Sequence, residues 1–192
     1  MQMEKEITVL VKTDYETLKK ELEKNNFVKK DEYQVNDIYM INDNLDLLSM
    51  SYLDILKRCI LVRDVVGYEK LLLYKYKEYA SNGDILKQGK VKCPVEDTLK
   101  AVNFLEAIHY RKLFNIFDTC IVYANESTEL VVELVNDKYI FIELEDKCEY
   151  IDKDYNDIES MKEEILKYNL PIYTSNFFVK KAEIILKEIL EK

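Results

Sequence analysis

Apolar and polar residues alternate with a period of two over most of this chain, and the alternation switches to a helical period at four places. Residues 3–12 (MEKEITVLVK) read as a strand. Residues i and i+2 of a strand share a face, so Glu4 and Glu6 stand on one side and Ile7 and Val9 on the other. Asp14 reads as the N-cap of a helix, YETLKKELEKNNF, with Leu18 and Leu22 on its apolar stripe. The alternation predicts a second strand over 33–41 and leaves 45–52 ambiguous. A hairpin pairs 55–66 with 70–78 around Gly67. Asn82-Gly83 signals a turn, with a strand over 86–95 beyond it. Asp97 caps a helix, DTLKAVNFLEAI, and three strands follow over 113–124, 129–136 and 138–146, with turns at 125–128 and Asn136-Asp137. Two helices, 156–168 and 176–191, complete the pattern. The expectation is one α+β domain over 1–192, with about eight antiparallel strands in a strongly curved sheet or barrel and helices outside.

Charges interrupt the apolar runs. Glu143 and Glu145 repeat, in YIFIELED, the one-residue spacing of Glu4 and Glu6. Burying two acids side by side against an apolar core costs far too much. Each glutamate face is therefore plain solvent, or it lines a wet cavity that holds cations. Arg63 ends CILVR, Lys75 and Lys77 alternate with aromatics in LLYKYK, Lys90 and Lys92 sit in GKVKC, and Glu133 interrupts LVVELV. On a surface such lysines merely cover apolar area with their stems. On a shared interior they suit phosphate chemistry, because Arg and Lys neutralise phosphate oxygens and carboxylates hold a divalent ion against them.

Composition narrows the choice. The chain has 192 residues, 48% of them hydrophobic, with 3 Gly and 2 Pro, which argues against a disordered chain. No apolar run is long enough to cross a membrane and no secretory leader is legible, so no membrane partner and a cytoplasmic location are expected. The formal charge of −9 argues against a nucleic-acid partner. Cys59, Cys93, Cys120 and Cys148 are widely spaced without a CxxC and read as reduced, buried thiols. His109 is the only histidine, so no His-based dyad or metal site is available. P-loop, GxSxG and HExxH motifs are absent.

Taken in order, these elements resemble the CYTH superfamily, the triphosphate tunnel metalloenzymes, which includes class IV adenylate cyclases, thiamine triphosphatases and inorganic triphosphatases. The opening ExExK strand is matched by Glu4-Lys5-Glu6-Ile7-Thr8 and the D-x-Y strand by Asp37-Ile38-Tyr39. The second arginine of RxR is matched by Arg63, and the lysine of the next strand by Lys75. Glu133 matches the acid ten positions before the last pair, and Glu143-Leu144-Glu145 the closing ExE after Phe141. The resemblance implies a closed antiparallel β-barrel of the triphosphate-tunnel type, with charges on its inner wall. It implies Mg²⁺ or Mn²⁺ on Glu4, Glu6, Glu143 and Glu145. It also implies a small triphosphate or other polyanion on Arg63, Lys75, Lys77, Lys90 and Lys92, and catalytic roles for Glu143 and Glu133. The chain departs from the pattern where Thr8 replaces the lysine of ExExK, Leu61 the first arginine of RxR, Lys90 and Lys92 two acids of RxExE, and Asp118 a later base. Three functions stay open: metal-dependent hydrolysis of a triphosphate, anion binding without turnover, and the class IV cyclase reaction.

Overall fold

A computed structural model describes residues 3–79 and 85–191, with the side chains of 3, 4, 77–79 and 85–88 left out. The strands are β1 (Met3–Glu4), β2 (Glu6–Leu10), β3 (Val28–Asn42), β4 (Ile60–Val65), β5 (Glu69–Tyr79), β6 (Ile85–Pro94), β7 (Tyr110–Ala124), β8 (Glu129–Val135) and β9 (Tyr139–Glu145). The α-helices are α1 (Tyr15–Lys24), α2 (Tyr52–Leu56), α3 (Thr98–Ala107), α4 (Ile158–Leu166) and α5 (Lys181–Leu190). The α+β class is as expected.

The closed barrel of about eight strands is not. Among the described residues, nine strands form one sheet in the order β1-β6-β5-β4-β3-β7-β8-β9-β2, and its two end strands do not pair with each other. The cause lies in the opening strand, which breaks at Lys5. Its first two residues pair with β6, Glu4 opposite Gln88. The remainder pairs with β9, Glu6 opposite Glu145. The other edge of β2 is taken by the segment that leads into α5. Thr8 N–H donates to Phe177 O at 2.9 Å, and Val179 N–H donates to Thr8 O at 3.0 Å. Tyr173 N–H donates likewise to Leu10 O at 2.8 Å. Backbone groups on that edge are satisfied without a neighbouring strand, which is what an exposed edge requires.

That connection also corrects the last helix, which starts at Lys181 rather than at 176. Residues 55–59 are corrected too. Ser51 caps α2, its hydroxyl accepting from Asp54 N–H, so Ile55 and Leu56 are helical and β4 starts at Ile60. The expected caps form: Asp14 accepts from Thr17 N–H at 2.9 Å and Asp97 from Lys100 N–H at 2.8 Å. Each such cap is worth about 1 kcal/mol. Asn136 and Asp137 both take positive φ, 51° and 54°, in the β8–β9 turn, the conformation a tight two-residue hairpin needs. The expected Asn82-Gly83 turn lies outside the described residues.

Strand parity sorts the side chains. Ile7 and Val9 of β2 join Ile142 and Leu144 of β9, Leu18 and Leu22 of α1, and Met161 and Ile165 of α4 in one buried core. Burial of each large aliphatic contributes about 1.5–3 kcal/mol. A second core joins Tyr39, Leu61, Phe114 and Ile116 of the strands to Ile55 of α2 and Ile185 and Leu186 of α5. A third lies under α3, with Met40, Val62, Ala101 and Leu105. Alternate positions turn away from the first core, and these make the site.

Candidate functional site in the sheet interior

The inner face of the curved sheet surrounds a cavity of about 690 Å³. Glu6, Arg63, Lys75, Lys90, Lys92, Glu133, Glu143 and Glu145 all line it. The glutamate faces of β2 and β9 are thus one shared cavity wall. Glu4 and Lys77 lie outside the residues whose side chains are described. Cys59 and Cys120 are buried as expected, but Cys93 is exposed and Cys148 half-buried. No cysteine among the described residues is bridged.

Register places like charges opposite one another. Glu6 faces Glu145 across the β2–β9 pair. Lys75 faces Lys90 across β5–β6. Directly opposed like charges destabilise a sheet, and both pairs stand on the wall of the same cavity, which brings acids and bases together there. The ligand atoms of Glu6, Glu143 and Glu145 lie within 4.8 Å of one another. Carboxylate oxygens alone, converging from two strands, are a hard donor set that fits Mg²⁺ or Mn²⁺.

Two further groups were only partly legible in the sequence. The first is a clasp. Arg63 donates through Nε to Asp37 Oδ1 at 2.7 Å and through Nη2 to Asp37 Oδ2 at 2.6 Å, a bidentate pair between facing residues of β3 and β4. Burial by itself would raise the Asp37 pKa, but the Arg63 guanidinium holds it below the ordinary value. The second is a knot around Lys181, the first residue of α5. Its Nζ donates to Glu133 Oε1 and, at 3.3 Å, to Glu143 Oε2. It also pairs with Asp118 Oδ2 at 3.7 Å. Lys181 was not expected in the site. Its signal was a lysine in the first turn of a helix, where the macrodipole disfavours a cation unless an acid answers it. The shifted start of α5 hid that position.

The knot splits its carboxylates. Burial works against ionised Glu143, yet Lys181, Lys90 and Lys75 outweigh it and bring its pKa to about 2. Glu133 is pushed well above its ordinary value by burial and by the charge of Glu143, with Lys181 opposing. Asp118 is also raised, first by burial. Thr8 Oγ1 lies 3.5 Å from Glu143 Oε2 and donates to it. This hydroxyl stands where the resemblance expects a lysine.

No family model matches the sequence, and no curated protein does. Solved structures do. The chain superposes on PH1819 from Pyrococcus horikoshii with a TM-score of 0.65 at 16% identity, covering 96% of this chain and 99% of that one. It matches a putative adenylate cyclase from Vibrio parahaemolyticus with a TM-score of 0.58 at 12% identity, covering 100% and 99%. It matches HpAC1 from Hippeastrum, a putative adenylyl cyclase with dominant triphosphatase activity, with a TM-score of 0.61 at 12% identity, covering 98% and 96%. The chain shares the fold of these structures. At these identities the likeness concerns the fold alone, and the chemistry of the cavity rests on its own side chains.

Proposed function

We propose that the cavity binds a triphosphate-containing small molecule together with Mg²⁺ or Mn²⁺ and hydrolyses its terminal phosphoanhydride. The observation that carries this reading is the pair of like-charge ladders in one cavity, Glu6 with Glu145 and Lys75 with Lys90. The carboxylate cluster suits a divalent ion and the lysines suit a polyphosphate, and one cavity holds both donor sets. Lys75, Lys90 and Lys92 would neutralise phosphate oxygens. Glu6, Glu143 and Glu145 would hold the ion. The ion, when bound, offsets charge on the phosphoryl oxygens and favours in-line attack by water. Glu143 stays ionised and is fixed by Lys181 and Thr8, which suits it to orient that water. Glu133 lies behind it and positions Lys181. The P–O bridge breaks, the diphosphate side departs, and the water's proton passes to a cavity carboxylate or to the phosphate.

Binding without turnover is the second reading. It is favoured by the clasp, because Asp37 already occupies the Arg63 guanidinium that the resemblance assigns to phosphate. Phosphate release from inorganic triphosphate, thiamine triphosphate and ATP, with Mg²⁺ or Mn²⁺, separates the two. Release abolished by Glu143→Gln supports hydrolysis. No release from any of them, with tight binding retained, supports the second reading.

A further inference from the structure

We propose that Asp118, Cys120 and Glu133 form a second, separate cation site for a thiophilic transition metal ion such as Zn²⁺. Asp118 and Cys120 are alternate inward residues of β7, and Cys120 faces Glu133 across the β7–β8 pair. Their ligand atoms lie within 4.8 Å of one another and all three residues are buried. The Glu6–Glu143–Glu145 group is more open and purely oxygen-bearing.

Unfilled bonding capacity points to a ligand here. Asp118 Oδ1 and Glu133 Oε2 are buried and have no hydrogen-bond partner, in residues only 8% and 5% exposed. Lys181 takes the other oxygen of each, Asp118 Oδ2 and Glu133 Oε1. A buried acceptor left unmatched is costly and rare. Charge gives the same answer. Lys181 is one ammonium shared among Asp118, Glu133 and Glu143, while Arg63 is committed to Asp37. A metal ion at the unmatched oxygens fills them without displacing Lys181 from the other oxygen of each acid.

Donor chemistry sets the class of ion. One sulfur beside two carboxylate oxygens is a poor site for Mg²⁺ or Ca²⁺ and a good one for Zn²⁺, Co²⁺ or Fe²⁺. Three protein donors leave a position open to water or to a ligand in the cavity. Coordination forms a metal–sulfur bond, breaks the S–H bond of Cys120, and sends its proton to solvent. None of these donors is needed to hold the ion of the proposed hydrolysis, so the two sites can fail separately.

Co²⁺ added to the full chain tests this. A thiolate-to-cobalt charge-transfer band should appear in the near ultraviolet, with a proton released to the buffer. Cys120→Ser should abolish it. Ser at Cys59, Cys93 and Cys148 should leave it, as should Glu6→Gln, which cripples only the outer group. Asp118→Asn should weaken the apparent Co²⁺ affinity about tenfold or more. Absence of the band in the native chain, or its survival in Cys120→Ser, would overturn the proposal. Should Cys120→Ser fail to fold, an unchanged Co²⁺ titration in Asp118→Asn would overturn it equally.

Discussion

Glu164 and Glu133 are both buried glutamates held by lysines, and they have opposite fates. Glu164, on the outer layer, is 6% exposed. Its Oε1 accepts from Thr128 Oγ1 at 2.5 Å and Tyr168 OH at 3.3 Å. Its Oε2 accepts from Lys167 Nζ at 2.8 Å and pairs with Lys153 Nζ at 3.1 Å. Both oxygens are filled, and two ammonium groups answer one carboxylate. Glu133, in the cavity, shares one ammonium with Glu143 and Asp118 and keeps an oxygen without a partner. The first arrangement ties α4 to the β7–β8 turn and asks for nothing more. The second is incomplete by itself, which marks a place for a ligand. Two buried acids of the same type are told apart by what is left unmatched.

The largest expected effect falls on turnover. Glu143→Gln should lower phosphate release by about 10²–10³-fold, the scale of removing one preorganised electrostatic group, and leave triphosphate binding partly intact by calorimetry. Lys181→Met should come next. It strands three carboxylates around an apolar side chain, and breaking such a buried pair costs about 3 kcal/mol. Urea unfolding should show that loss, and millimolar Mn²⁺ should recover part of it by linkage.

Glu164→Gln tests the filled knot. Stability should fall by about 1–2 kcal/mol at neutral pH, with no change in metal or phosphate binding. The sign of its pH dependence is fixed. Burial alone would raise the Glu164 pKa, but Lys167, Thr128 and Lys153 bring it from 4.5 to about 2. A depressed folded-state value contributes stability above the unfolded value and loses it as pH falls through the folded one. The native chain should therefore lose this contribution between about pH 4.5 and 2, and a urea-stability profile of Glu164→Gln should be flatter there.

Much of the frame was legible because period-two patterning is local. Asp14, Asp97 and the Asn136-Asp137 turn carry their own instructions, and so does the parity that sends Glu6 and Ile7 to opposite faces. The break at Lys5 was not legible. It shows only in long-range pairing, where Glu4 meets β6 and Glu6 meets β9 while residues 171–179 return to the free edge of β2. The late start of α5 has the same origin, and with it went the position of Lys181. Sequence could propose Arg63 as a phosphate ligand, but only the register that sets it opposite Asp37 reveals that its guanidinium is already engaged.

Calorimetry with inorganic triphosphate, with and without Mn²⁺, tests most directly whether the two like-charge ladders are a binding site. Triphosphate should bind the native chain in a Mn²⁺-dependent way. Lys75→Ala should weaken it about tenfold, the loss of one charge-assisted contact. Glu6→Gln should remove the Mn²⁺ dependence. No binding by the native chain at millimolar triphosphate, whether or not Mn²⁺ is present, would contradict it.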